Sequence, residues 1–208
     1  MKNPVRFFVL AATATTALAL APLASATKWH HSSWGGSVLT AGGDTTVALD
    51  AGAAGALQSL GVAVAPIAPA SAGPAGISFP ITNGLLNPDS FAGRIGHSGG
   101  LTFSKGETRV DLRRFTIKID SDPDLSGIVS VNGKRIGRVE LFSLDLSKLQ
   151  AVKSSEDIQL SGVTLKLTKG AADALNGAFH VTAFTEGLVI GQASTDTDIV
   201  GTLRGFGW

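Results

Sequence analysis

The chain has 208 residues, 17 basic against 16 acidic, with neither cysteine nor tyrosine. A near-neutral, evenly mixed charge excludes nucleic acid or an anionic membrane surface as the main partner, because both demand concentrated positive charge. The missing cysteines exclude thiolate catalysis, cysteine-bound zinc, iron–sulfur clusters, disulfide stapling and a lipid anchor on cysteine.

Lys2 and Arg6 open the chain, an apolar run follows from Phe7 to Leu20, and Ala24-Ser25-Ala26 has the small-x-small pattern of a signal-peptidase site. Residues 1–26 are therefore expected to be a cleaved signal peptide. Thr13, Thr15, Thr16 and Pro22 interrupt the run, which is short for a membrane span of roughly 20 residues. Cleavage takes 26 of the 208 residues and leaves 182; without Lys2 and Arg6 the balance becomes 15 basic against 16 acidic. That length can bury a full hydrophobic core without disulfides. No later segment reads as a span, since Pro66, Pro69 and Pro74 break Gly61 to Ile77, the most apolar of them. The expected location is the extracellular space or the cell envelope, and the expected partner an envelope or extracellular ligand.

Residues 27–36 form a polar arm with Trp29, His30, His31 and Trp34, ahead of a β-rich domain over 37–208. His30-His31 suits only adventitious capture of copper or nickel, because neighbouring side chains on an extended arm point apart. No His-x-Glu or His-x3-His spacing joins these or His97 and His180 into a built metal site.

Thr46 to Leu57 aligns without gaps with Thr164 to Leu175, and seven of the twelve positions are identical. Each copy ends a strand, offers an N-cap (Asp50, Thr168), runs through an Ala-rich turn and leads to a second strand near Val62 or Val181. Gly61 to Gly76, dense in Pro, Ala and Gly, reads as the one plausible linker. Strands are expected over 91–97, 100–103, 107–119, 126–131, 138–146 and 158–167, where Val, Ile, Leu, Phe and Thr alternate with polar residues. The alternation changes parity near Arg113-Arg114, which predicts a bulge. Arg109 and Arg113 fall on one face and Arg114 and Lys118 on the other, as a solvated edge. Turns are expected at Asn83-Gly84, Ser98-Gly99-Gly100, Lys105-Gly106, Asp122-Pro123-Asp124 and Asn132-Gly133, the last a hairpin. The fold class is mainly all-β: one antiparallel β-sandwich or barrel-like domain with two short strand–helix–strand units packed symmetrically.

Gly96-His97-Ser98-Gly99-Gly100 satisfies the G-x-S-x-G pattern of a nucleophile elbow, with Ser98 as nucleophile. The elbow needs a strand turning into a helix, whereas Leu101 to Gly106 reads as a strand and a turn. A triad would draw on His180 and on Asp145 or Asp157. A Gly-rich hairpin turn is the preferred reading. Asp120, Asp122 and Asp124 are spaced like the start of a calcium loop, but Leu125 and Val131 stand where that loop needs Gly and Glu. An acidic solvated turn is expected.

Phe79-Pro-Ile-Thr-Asn-Gly84, Gly93-Arg-Ile-Gly-His97-Ser-Gly99-Gly100-Leu101 and Val139-Glu-Leu-Phe-Ser-Leu144-Asp145-Leu146-Ser147 follow one another across the central 70 or so residues. This succession resembles the HtaA-type domain of actinobacterial secreted and cell-envelope proteins. The resemblance implies extracellular haem binding, with a tyrosine ligand assisted by histidine. Only the glycine-flanked histidine maps, onto His97, and the chain has no tyrosine. His97 would ligate iron alone or with His180, in an apolar pocket drawn from Phe91, Phe103, Phe115 or Phe142. The sequence thus points to a non-enzymatic binding or structural module, with haem capture through His97 as the alternative and a serine hydrolase using Ser98 as the second alternative.

Overall fold

The computed structural model describes residues 36–203. The expected signal peptide, the arm residues Trp29, His30, His31 and Trp34, and the C-terminal Phe206 and Trp208 lie outside the described residues. In chain order the elements are β1 Ser37–Thr40, β2 Asp44–Leu49, α1 Ala51–Ser59, β3 Ala63–Ile67, β4 Ser71–Gly73, β5 Gly76–Leu86, β6 Gly93–His97, β7 Gly100–Lys105 and β8 Thr108–Ile119. They continue with β9 Asp124–Val131, β10 Lys134–Asp145, β11 Gln150–Lys153, β12 Asp157–Leu167, α2 Lys169–Phe179 and β13 Val189–Leu203.

The strands form one antiparallel sheet, and it closes on itself. From β13 the ring runs through β2, β5, β6, β8, β9, β10 and β12, and back to β13. Closure satisfies the backbone along the ring and removes its edges. Inside it Leu86, Ile95 and Ile158 are wholly buried. In one direction the ring parts. Along β8, β6 covers Thr116–Ile119 and β7 takes over at Thr108–Arg113, but β7 then pairs with β3 and not with β5. On the far side β10 meets β12 only through Phe142–Asp145. The free parts of β7, β8, β9 and β10, with β3, therefore make a layer of their own. The fold is a barrel at one end and a sandwich at the other, which reconciles the two architectures expected from sequence.

The repeated segments occupy matching places. β2 and β12 flank β13 on its two sides, so that Leu49 and Leu165 both pair with Gly191. Being antiparallel to the same strand, β2 and β12 run parallel, and α1 and α2 leave from the same end. Both N-caps form as expected: Asp50 Oδ1 accepts from the Gly52 and Ala53 amides at 2.8 and 3.2 Å, and Thr168 Oγ1 from the Ala171 amide at 3.1 Å. The strand expected near Val181 does not form. Residues 181–188 are irregular and β13 begins at Val189, whereas β3 follows α1 closely at Ala63.

Several other expectations need correction. Gly61 to Gly76 is no linker, because it contains β3, β4 and the start of β5. Asn83-Gly84 lies within β5; a side chain at Gly84 would collide with Thr40, so this glycine permits a close approach and not a turn. Ser98-Gly99 is not a hairpin but a jog between β6 and β7, which continue along the same partner strand. Gly99 adopts φ +78, and a Cβ there would meet the Ala70 amide at 2.6 Å. The bulge near Arg113-Arg114 is present opposite this jog, with Arg114 at φ +52 and the register against β9 shifted. Because it resets the parity, Arg109, Arg113, Arg114 and Lys118 all point away from the core instead of dividing between faces. The Asn132-Gly133 hairpin between β9 and β10 stands, with both residues at positive φ. Among the described residues no helix is long and apolar enough to cross a membrane.

Candidate ligand cavity

Between the two layers of the open end lies a cavity of about 170 Å³. One wall comes from Val64, Leu101, Phe103, Val110, Leu112, Val129, Val131, Ile136 and Val139, the inward positions of β3 and β7–β10. The other comes from Val47, Leu49, Ile77, Phe79 and Ile190. The helices add Ala53, Ala56 and Leu57 from α1, and Ala171, Ala174, Leu175 and Ala178 from α2. Five of these seven positions are alanine, so the helices fill the gap less than larger side chains would. Ile136 stands at the rim, 59% exposed. It is the extra residue of a bulge between Arg135 and Gly137, and the bulge turns its side chain to the opening.

Among the described residues that line it, Thr45 and His97 are the only ones with polar side chains. His97 is the last residue of β6, at the point where the ring opens, and is 5% exposed. Its Nδ1 lies 3.4 Å from the Phe115 carbonyl, which the β8 bulge frees from pairing with β9. Its Nε2 lies 2.8 Å from Thr45 Oγ1, and Thr45 Oγ1 lies 2.9 Å from Thr195 Oγ1 on β13. The Phe79 ring packs edge-on against Phe115 beside it. Burial pushes the His97 pKa down to about 4, against smaller upward pulls from the Phe115 carbonyl and the Asp44 carboxylate. The imidazole is neutral at physiological pH.

The other residues singled out in the sequence are scattered. Ser98 Oγ donates to the Pro80 carbonyl at 3.3 Å. His180 is the exposed left-handed C-cap of α2 and does not line the cavity. Asp145 accepts from Lys166 Nζ at 2.8 Å, and Asp157 from Ser154 Oγ. The Ser98 hydroxyl and the Asp145 and Asp157 carboxylates thus have other hydrogen-bond partners, and neither carboxylate is bonded to His180. Lys118 Nζ reaches Asp124 at 2.8 Å and Asp120 at 3.4 Å, so two of the three carboxylates of the acidic turn face an ammonium. Of the four phenylalanines considered for a pocket, Phe103, Phe115 and Phe142 line the cavity and Phe91 does not. Sequence reasoning missed Thr45 and Thr195, for which no sequence signal exists beyond ordinary strand composition.

No protein-family profile matches the chain, and no curated protein sequence does. Solved structures match at the level of fold. The C-terminal domain of HtaA from Corynebacterium glutamicum superposes with a TM-score of 0.60 at 15% identity, covering 77% of this chain and 99% of that domain. The N-terminal domain of HtaA from the same organism gives 0.57 at 15% identity, over 78% and 98% of the two chains. Heme binding protein HtaB, also from Corynebacterium glutamicum, gives 0.50 at 11% identity, over 78% and 95%. The chain therefore has an HtaA-like fold.

Proposed function

We propose that the protein is an exported, non-enzymatic binding module that receives an apolar ligand between the layers of its open end, with haem the leading candidate. The observation that carries this reading is the cavity itself: walls of aliphatic and aromatic side chains meeting one neutral histidine at their inner end. Apolar walls with a few placed polar groups are the usual make-up of a small-molecule site. Among the described residues, Ser98, His180, Asp145 and Asp157 are not hydrogen-bonded to one another, which supports a binding role over a hydrolytic one.

The donor chemistry fits haem. Neutral imidazole ligates iron, and a hydrogen bond from Nδ1 to a backbone carbonyl is the usual way a ligating ring is oriented. With no tyrosine in the chain, phenolate ligation is excluded, and the candidate donor is His97 Nε2, which Thr45 Oγ1 covers in this structure. Phe79, Phe115, Leu101 and Val110 would flank the macrocycle, and the bound iron would supply a Lewis acid to the imidazole. The space is the demanding part, because about 170 Å³ lies below the roughly 300–1,000 Å³ of ordinary ligand sites. Haem entry requires the two layers to part, at the end where no strand pairing joins them.

That volume, with Nε2 already hydrogen-bonded, favours a second reading in which a smaller, metal-free apolar molecule fills the space. Titration of the mature protein with hemin, followed in the Soret region, separates the two. Haem binding predicts a shifted, saturable Soret band that His97→Ala abolishes. A spectrum identical to free hemin, with an environment-sensitive apolar dye still bound, selects the second reading. Failure of both probes contradicts the cavity as a binding site.

A further inference from the structure

We propose that Thr45 determines which ligands can use His97, because its hydroxyl occupies the imidazole lone pair that a metal or a hydrogen-bond donor in the cavity would need. The inference rests on the cavity reading above.

A carbonyl oxygen can only accept, so the contact between Nδ1 and the Phe115 carbonyl places the ring proton on Nδ1. Nε2 is then an acceptor, and the 2.8 Å contact is a hydrogen bond donated by Thr45 Oγ1. With its proton committed, Thr45 accepts from Thr195 Oγ1 at 2.9 Å. The chain Thr195 to Thr45 to His97 to Phe115 therefore runs in one direction, and each of its three side chains has a partner. Thr45, His97 and Thr195 are 2%, 5% and 7% exposed, so no solvent stands ready to replace a broken link.

The consequence for ligands follows from that isolation. A wholly apolar guest leaves the chain intact and is indifferent to Thr45. A guest that needs Nε2 must strip it of the Thr45 hydroxyl and leave that buried donor without its acceptor, a loss comparable to a net hydrogen bond or more. Only a partner much stronger than a hydroxyl, such as a metal centre, or one that offers Thr45 a replacement acceptor, gains from the exchange. Thr45 thus works as a positioning and selecting residue. Thr45→Val keeps the shape and removes the donor.

The test has two arms. The His97 ring nitrogens of the ligand-free mature protein are observed by long-range proton–nitrogen correlation, in the wild type, Thr45→Val and Thr45→Ser. The expected result is a proton on Nδ1 and a hydrogen-bonded Nε2 in the wild type and Thr45→Ser, with Nε2 moving to the position of a free lone pair in Thr45→Val. Hemin titration should then give tighter binding to Thr45→Val by about fivefold or more, the equivalent of one net hydrogen bond, with Thr45→Ser behaving as the wild type. A proton on Nε2 in the wild type overturns the proposal and needs no variant to fold. So does an unchanged Nε2 in Thr45→Val, or hemin binding that is equal in, or absent from, both proteins. Hemin bound by Thr45→Val alone supports the proposal while retiring haem as the wild type's ligand. Loss of apolar-dye binding by the wild type reports separately on the cavity reading.

Discussion

At His97 the fold keeps an ionisable ring uncharged inside an apolar wall, and acid should weaken it for that reason. The folded pKa, pushed down to about 4, lies below the ordinary value of 6.5. Above pH 6.5 the ring is neutral in both states and the group is silent. As the pH falls from 6.5 towards 4 the unfolded chain takes up a proton that the folded chain refuses, and stability drops. A depression of this size corresponds to about 3 kcal/mol in total. Urea denaturation at pH 7, 5.5 and 4.5 should show that drop in the wild type, and His97→Gln should lack most of it. Equal acid sensitivity in the two proteins would contradict a buried neutral His97. The glycine-flanked histidine was legible in the sequence because Gly96 and Gly99 mark a backbone under close constraint. Its partners were not. Thr45 is 52 residues and Phe115 18 residues away, and Thr195 is 150 residues from Thr45; only strand register brings them together.

At the level of elements, the two helices are short and carry glycine in their bodies, Gly52 and Gly55 in α1 and Gly170 and Gly177 in α2. Glycine in a helix interior costs up to about 1 kcal/mol against alanine, so capping carries a large share of their stability. Asp50→Ala and Thr168→Ala should each lower the unfolding free energy by about 1 kcal/mol, measured by chemical denaturation, with Asp50→Asn close to the wild type. No loss in either alanine variant would mean that these helices are held by packing alone. The caps and the repeat were readable because they are local chemistry. β13 was not among the expected strands although it is 15 residues long. Its buried positions are Gly191, Ala193, Thr195 and Thr197, which alternate with Gln192, Ser194, Asp196 and Asp198, so the period of two is present in burial but hardly in hydropathy. Asn83-Gly84 misled for the opposite reason. Turn chemistry stood there to make room for Thr40.

For the whole molecule, the position of the cavity is a property of closure. The ring is sealed where β12 and β13 pair, from Asp157 against Asp198 to Lys166 against Val189, and it opens where β7, which follows β6 along β8, pairs with β3 in place of β5 and where β10 runs beyond β12. Alternating strands and turns specified a closed or layered β-fold, and that reading stands. Where such a sheet parts depends on pairings between residues far apart in sequence, which alternation does not encode. The same pairings set the contrast between two apolar surfaces: Leu101, Val110, Ile136 and Leu175 line the cavity, whereas Leu39, Leu85 and Leu203 are partly exposed elsewhere. Methyl-labelled mature protein titrated with hemin distinguishes them directly, because ferric iron broadens nearby methyl resonances. Broadening of Leu101, Val110, Ile136 and Leu175, with Leu39, Leu85 and Leu203 unchanged, is the predicted result; broadening confined to Leu39, Leu85 and Leu203, with the cavity methyls untouched, would contradict it.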